Sequence, residues 1–410
     1  MNTLSEYFLC LSLLTTCCFE GFSQQSTRGT DFWLGFMDNF NSSDVTFPIT
    51  LHIFISAETA ANGNVEMPLA GFSQSFSVAG GSTEEIIIPT NTALVTTDQI
   101  VENLGIHITS DVPVTVYALN HKNRSADATI VLPTATLGEE YYVMAYEPFD
   151  LFNPSEFLVV AVEDNTTIEI TPTILTLGGN PAGVPFTINL NRGQVYQVKG
   201  NGDLTGTLVR SVSAAGECKN FALFGGSVCA MVQPSCGFCD HLFEQMMPTW
   251  AWGKDYFAVP LATRFGDVYK MIAQENNTEV IVNGGIPTIL NAGENMEMLI
   301  NGATTISADK PISVAQFSRG GTCDGVGDAD PFMIILSPIE QAINEITFNS
   351  FTSAVITSYY LNVLTKTANT GLVNLDGTPG PAGSFTPIIA NPDFSFAQLS
   401  IATGNHTLQS

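Results

Sequence analysis

An all-β fold made of tandem β-sandwich-like units is predicted by three observations on the sequence. Helical spacing of apolar residues is scarce, whereas short alternating runs such as 167–171, 187–190 and 279–282 recur between Gly, Pro, Asn and Asp clusters. Thr, Asn, Ser and Gly are abundant and only 13% of residues are charged, a composition suited to hydroxyl-rich β surfaces. Four sequence elements also return in a fixed order at a period of roughly 90 to 115 residues, the size of a module that closes its own core. A β-propeller with enlarged blades is the alternative architecture.

The first element is a strand running into an Asn-Thr turn, at 157–168 and again at 269–280, with a weaker copy at 360–370 and a degenerate one at 48–56. The second is a strand with a Gly turn, Leu190-Asn191-Arg192-Gly193 and Leu290-Asn291-Ala292-Gly293, where positive φ is expected. In the third, an Ile-x-Ser/Thr strand meets Asp111-Val112-Pro113 or Asp309-Lys310-Pro311, and the proline suits the start of a new strand. Gly216-Glu217-Cys218-Lys219 replaces that corner in the copy between them. The fourth is a Pro-led connection into an aromatic strand, from Pro133 to Gly138 and Tyr141, and from Pro248 to Gly253 and Tyr256. A third connection, from Pro338 to Phe348, lacks the glycine. Short helices are expected only at Asp240 to Met247 and Ile339 to Ile343.

These periods divide the chain into a signal peptide (1–23), a first unit (24–147), a second with a Cys-rich loop (148–262), a third (263–351) and an incomplete fourth (352–410). The closing Gly404-Asn405-His406-Thr407-Leu408-Gln409-Ser410 repeats the strand that precedes each Asp-x-Pro corner. The last sheet is therefore expected to show an unpaired edge, and the region after about Thr352 to be the least ordered, unless the strand at Phe32 to Phe36 closes the gap.

A formal charge of −26, from 39 acidic and 13 basic residues, disfavours nucleic acid and anionic membrane surfaces as partners. The apolar run 7–14 is too short to span a bilayer and reads as a secretory signal, implying a secreted or cell-surface location. Cys10, Cys17 and Cys18 would leave with it. Of the remaining cysteines, Cys218, Cys229, Cys236 and Cys239 crowd together, while Cys323 stands apart. In an exported protein this favours two disulfides around one loop, with Cys323 free or drawing one partner away; zinc at the Cys229-x6-Cys236-x2-Cys239-x-His241 stretch is the weaker reading.

Asp324, Asp328 and Asp330 place three carboxylates on a Gly-rich loop, a candidate for calcium that lacks EF-hand spacing. No other cofactor is indicated. Phe32, Trp33, Phe36 and Phe40 could form a sugar-stacking platform but read as core strand, Trp250 and Trp252 as packing residues on one face of a strand or turn, and His241 as a structural histidine. Asp111 and Asp309 read as turn-bonding acids. Nucleophile-elbow, zinc-protease, phosphate-loop and dinucleotide motifs are all missing, so no catalytic residue is assigned. Several Asn-x-Ser/Thr sequons, among them Asn41, Asn123 and Asn405, matter only in a eukaryotic host.

The run 29–39 (GTDFWLGFMDN), Leu132-Pro133 with Gly138 and Tyr141, Asp203-Leu204-Thr205-Gly206-Thr207, and Cys239-Asp240-His241-Leu242-Phe243-Glu244-Gln245 followed by Pro248 and Trp252-Gly253 resemble the IgGFc-binding protein N-terminal domain family. The resemblance implies an extracellular, non-catalytic binding or adhesion domain, and an exported bacterial-type member. Its partner would be an extracellular protein or glycan, with no nucleic acid and no membrane insertion. Family likeness transmits no ligand. A carbohydrate-active enzyme and a structural spacer for a further domain are the rival functions.

Overall fold

The computed structural model describes residues 26–213, 218–325, 329–350, 356–380 and 382–410; the signal segment lies outside them. The chain is all-β, in repeated units of antiparallel sheets. The first unit holds β1 (Arg28–Leu34), β2 (Thr50–Ala57), β3 (Ala61–Met67), β4 (Phe72–Val78), β5 (Ser82–Ile88), β6 (Val101–Glu102), β7 (Ile106–Lys122) and β8 (Ser125–Val131). The second holds β9 (Glu140–Tyr142), β10 (Ser155–Ala161), β11 (Thr166–Thr171), β12 (Phe186–Leu190), β13 (Val195–Gly200), β14 (Leu208–Ser211), β15 (Phe221–Ala230) and β16 (Asp240–Gln245). The third holds β17 (Gly253–Ala258), β18 (Asp267–Ala273), β19 (Thr278–Val282), β20 (Thr288–Leu290), β21 (Asn295–Ile300), β22 (Thr304–Phe317) and β23 (Met333–Ile335). The fourth holds β24 (Glu345–Ser350), β25 (Tyr359–Lys366), β26 (Asn374–Leu375), β27 (Thr378–Pro379), β28 (Thr386–Ile388), β29 (Asn391–Ile401) and β30 (Gly404–Gln409). Pairing thus groups β9 with the second unit, β17 with the third and β24 with the fourth, although the sequence periods cut the chain after each of them.

One long strand organises each complete unit. β7 pairs with β3 through its first half and with β2 and β8 through its second. β22 pairs with β19 and then with β18 and β23 in the same manner. The change of partner falls at the Asp-x-Pro corners. There Asp111 accepts the backbone N–H of Asn62 at 2.7 Å, and Asp309 that of Glu279 at 2.8 Å. Both acids thus tie the corner to a neighbouring strand. In the second unit, which lacks the Asp-x-Pro, the long strand is split into β14 and β15, which lie in different sheets. The Asn and Gly turns repeat to the atom: Asn165 and Asn277 both take φ of 55°, and Gly193 and Gly293 donate to Ala161 and Ala273 carbonyls, each at 2.9 Å.

The Gly-x-x-Tyr pairs have a mechanical role. Tyr141 Oη accepts the Gly138 N–H and donates to the Phe221 carbonyl, and Tyr256 does the same between Gly253 and Ile312. Each glycine lies under the proline that leads out of its unit: a Cβ would stand 2.6 Å from Pro133 at Gly29 and 2.5 Å from Pro248 at Gly138, and closer still to Pro338 at Gly253. Gly253→Ala should therefore cost about 1–3 kcal/mol through overpacking. A urea midpoint unchanged from wild type would sink this account of the glycine.

Asp240 to Gln245 forms β16, not the expected helix; every residue of it is buried. Ile339–Gln341 is a 3₁₀ turn. β16 lies between β8 and β23 and is joined to them largely through side chains. Ala126 N–H reaches Asp240 at 2.7 Å, Phe243 N–H reaches Asp127 at 3.0 Å, and Gln245 N–H reaches Thr129 at 2.8 Å. Met333 and Ile335 of β23 donate to Asp127 and Glu244. Because partners advance together along the chain, the three strands run in the same direction. The cores are also shared: one face of the second unit, including Leu158, Phe224 and Phe243, completes the core of the first. Its other face packs with Val268, Ile272 and Phe317 of the third.

β1 pairs with β7 inside the first unit, so Phe32 to Phe36 does not close the fourth. Phe32, Trp33, Leu34 and Phe36 are all buried, as expected for a core strand, whereas Phe40, grouped with them in sequence, lies beyond β1 on an exposed connection. The terminal β30 is flanked by β24 and β26. The fourth unit also reaches back to the first, where Asn405 bonds Thr83 at 2.7 Å and the Gly81 carbonyl at 2.6 Å. Of the region after about Thr352 that was expected to be the least ordered, residues up to 355 and residue 381 lie outside the described set.

Candidate binding surface at the loop end

Since β8, β16 and β23 run in the same direction, the loops entering them converge on one end of the molecule. At that end also lies, in each unit, the connection from the first strand to the second. These three equivalent connections carry bare apolar side chains: Phe40, Val45 and Phe47 in the first, Phe149, Leu151 and Phe152 in the second, and Phe265 in the third. Phe238, on the Cys-rich loop between them, is 59% exposed, Phe265 70% and Phe152 90%. Exposed aromatics on braced loops are the composition of interaction hot spots, whereas isolated apolar residues on a strand face are ordinary.

The brace is covalent and ionic. Cys229 pairs with Cys239, and Cys236 with Cys323, so Cys323 draws one partner out of the local cluster and ties the second unit to the third. Cys218 is a free, half-buried thiol. Phe149 N–H bonds the Cys229 carbonyl at 3.0 Å, which seats the second loop on the first disulfide. Beside the second disulfide, buried Asp324 receives Arg264 Nε at 2.5 Å, Arg319 Nη2 at 2.6 Å and the Phe265 N–H at 3.1 Å. Arg319 also donates to the Gly266 carbonyl at 2.8 Å and to Gln233 at 3.1 Å. In the first unit, buried Lys122 holds the loop by donating to the Asn41 carbonyl at 2.6 Å.

Of the candidate calcium residues, Asp324 is thus engaged by two guanidinium groups, Asp330 is exposed, and Asp328 lies outside the described residues. Among the described residues no group of three or more His, Cys, Asp or Glu is arranged to hold a metal ion. His241 is structural: Nδ1 donates to the Ser227 carbonyl at 3.0 Å and Nε2 accepts from Asn120 at 3.1 Å, which sets the neutral tautomer. Burial pulls its pKa down to about 3. Trp250 and Trp252 do not share a face, because a 3₁₀ turn separates them. Trp250 is half exposed, while Trp252 is buried beside Tyr142 with ring centres 5.8 Å apart.

An open groove of about 410 Å³ between the second and third units is lined by Thr173, Asp203, Thr205, Leu290, Gly293, Glu294 and Asn295. Asp203 is fully used there. One oxygen accepts the Thr205 N–H and hydroxyl, and the other pairs with buried Lys270 at 2.5 Å. The Asp-Leu-Thr-Gly-Thr motif therefore closes an inter-unit seam. The Cys-Asp-His-Leu-Phe-Glu-Gln motif likewise supplies the middle strand of the molecule. Both motifs thus contribute to the assembly of the units.

The model of the family described as IgGFc binding protein matches residues 127–410, from β8 to the last strand. This chain belongs to that family. Human IgGFc-binding protein is 25% identical over 395 residues, which cover 94% of this chain and 7% of that protein. The chain thus corresponds to a small part of its relative's length. Among the described residues no helix is long and apolar enough to cross a membrane.

The aromatic loop tips are what the sequence reading did not find. Their signal lies in position: Phe149, Phe152 and Phe265 fall between strands, beside Asp, Gly and Pro, where alternation gives no reason for a large apolar side chain.

Proposed function

We propose that this chain is a non-catalytic extracellular binding module that holds a protein or glycan partner on its loop end. The carrying observation is that equivalent loops of three successive units each present exposed apolar residues on the same end, and that the second and third are braced by disulfides and a buried Arg-Asp-Arg cluster. The disulfides fit an oxidising, extracellular setting. Family membership supports a binding role, and the strong negative charge argues against nucleic acid as the partner.

IgG Fc is the first ligand to try, because it stands in the name of the human relative. Mucins and a glycan array complete the panel. For whichever ligand binds, Phe152→Ser, Phe238→Ser and Phe265→Ser should each weaken affinity by about tenfold or more, the cost of an interface hot spot. All three side chains are exposed, so melting temperatures should stay near wild type. Full affinity in the triple variant would place the binding face elsewhere.

A further inference from the structure

Lys199 and Asp38 bring an amine and a carboxyl together at the seam between the first and second units. Asp38 lies in the connection that follows β1, and its Oδ2 stands 2.7 Å from Lys199 Nζ on β13. Both groups are held in place. Asp38 N–H donates to Gln197 Oε1 at 3.2 Å, and Gln197 donates in turn to the Val95 and Thr97 carbonyls, each at 3.0 Å. Lys199 Nζ also donates to the Thr96 carbonyl at 2.9 Å, and the Lys199 N–H to Asp98 at 2.8 Å. Little water reaches the pair, whose side chains are 8% and 14% exposed. An ordinary ion pair would need nothing more. Beside it, however, lies Glu156 on β10, the direct antiparallel partner of Lys199, so the two Cβ atoms are about 5 Å apart on one face of the sheet. Glu156 has no exposed area, and neither of its carboxyl oxygens has a hydrogen-bond partner among the described residues. Leaving a buried carboxyl without a bond is costly, so its presence needs an explanation beyond packing.

We infer that Lys199 and Asp38 join in an intramolecular amide across this seam, with Glu156 carrying the protons. Burial pushes the Glu156 carboxyl well above its usual range, so it has a proton to give. Lys199 is held above its ordinary value, because burial lowers it less than Glu156 and Asp38 raise it, and the pair rests as ammonium and carboxylate. Glu156 gives its proton to an Asp38 oxygen and takes one from Lys199 Nζ. The freed nitrogen then bonds Asp38 Cγ, one C–O bond breaks, and that oxygen leaves as water. The two protons that Nζ loses end on the departing oxygen, Glu156 ends as it began, and nothing is oxidised or reduced. Held contact replaces a bimolecular encounter, and exclusion of water protects the amide once formed. The bond ties the first unit to the second as Cys236–Cys323 ties the second to the third. Lys270 and Asp203 supply a contrast at the next seam. They pair at 2.5 Å with Glu297 at 3.6 Å, but the Asp203 and Glu297 side chains are 27% and 41% exposed, so no acid there is sealed from water. The inference is independent of the aromatic loop end, so either can fail alone.

The test is a peptide map of the folded full chain, which is then denatured, reduced, cut with trypsin and read by tandem mass spectrometry. A free Lys199 is cut, giving separate peptides 29–122, 193–199 and 200–210. The amide instead gives one branched peptide, lighter by one water than 29–122 and 193–210 together, with fragment ions that place the branch at Asp38 and Lys199. Cutting after Lys270 should proceed normally. Glu156→Gln keeps the side chain's size and should lower the branched fraction by about tenfold or more, the usual scale of a lost proton carrier. Lys199→Arg keeps the cation, should abolish the branch and should melt several degrees below wild type. Linear peptides alone from the wild-type chain overturn the inference and leave an ion pair only. Branching in Glu156→Gln as complete as in wild type overturns the role of Glu156. The wild-type map decides by itself, so a variant that fails to fold leaves the test intact.

Discussion

Asp324→Ala should destabilise the protein by about 3–5 kcal/mol, the usual cost of stranding buried charge. The carboxylate is the only anion bonded to Arg319 among the described residues, and its side chain has no exposed area. Removing it leaves Arg319 with two neutral acceptors, the Gly266 carbonyl and Gln233, and leaves Arg264 with the Arg319 carbonyl. The Phe265 N–H loses its acceptor as well. The damage reaches the candidate binding surface, because the same three residues set the course of the loop carrying Phe265 and the turn carrying Cys323. Asp324→Asn keeps the shape and two acceptor directions and should cost less. Asp324→Ala combined with Arg319→Met should recover part of the loss, since it removes one of the stranded charges. Urea denaturation of the three variants decides the point, and a single variant within about 0.5 kcal/mol of wild type would show that the cluster is not a brace. Cys323→Ser tests the covalent half: the Cys236–Cys323 bridge spans 87 residues, and its loss should cost roughly 4 kcal/mol by loop entropy.

The repeat was legible because turns and corners are written in residue types with local physical requirements. Asn165, Asn277, Gly193 and Gly293 sit where positive φ is needed, and Pro113 and Pro311 sit at corners where a strand changes partners. What could not be read was any feature decided across units. Asp240 to Met247 has apolar residues at helical spacing, yet Asp240–Gln245 folds as a strand, because Asp240 accepts an amide of β8 and the amides of Phe243 and Gln245 donate to β8 side chains, more than a hundred residues away. Local propensity gave way to those contacts. The partner of Cys236 was left open for the same reason: only the meeting of the second and third units brings Cys323 beside it. Trp250 and Trp252 were placed on one face by strand alternation, which a 3₁₀ turn does not obey. The terminal strand, which closes the last sheet in sequence, is paired on both sides.

Stability should be greatest near pH 5 and decline towards pH 8, because the middle of the molecule buries carboxyls to which no cation among the described residues is bonded. Burial pushes Asp127 up to about 8, against the amides of Phe243, Ala128 and Met333, and pushes Glu244 up to about 8. Asp240 is held well above its ordinary value, first by burial and then by the nearby charge of Asp330. Above about pH 4 the unfolded chain releases these protons while the folded chain keeps them, so their stabilisation is complete below that pH and is lost as the pH rises through 8. His241 acts in the opposite sense. Its folded pKa is depressed, so its contribution is present above about 6.5 and falls away as the pH drops towards 3. His121 is also lowered, by burial and then by His52, but these two histidines are outnumbered by the three carboxyls, so the net slope stays negative between about pH 5 and 6.5, and above that range only the carboxyls remain. Below about pH 4 the trend reverses, because Asp111 is lowered by its bonds to Asn62 and loses that stabilisation on protonation. Urea midpoints at pH 5, 6, 7 and 8 should fall in that order. Glu244→Gln should flatten the slope by one proton, about 1.4 kcal/mol per pH unit. Repeating the series in high salt separates this effect from repulsion among the surface acids, which salt screens and which a buried carboxyl does not feel. A midpoint that rises steadily from pH 5 to pH 8 would mean that β16 carries its acids ionised.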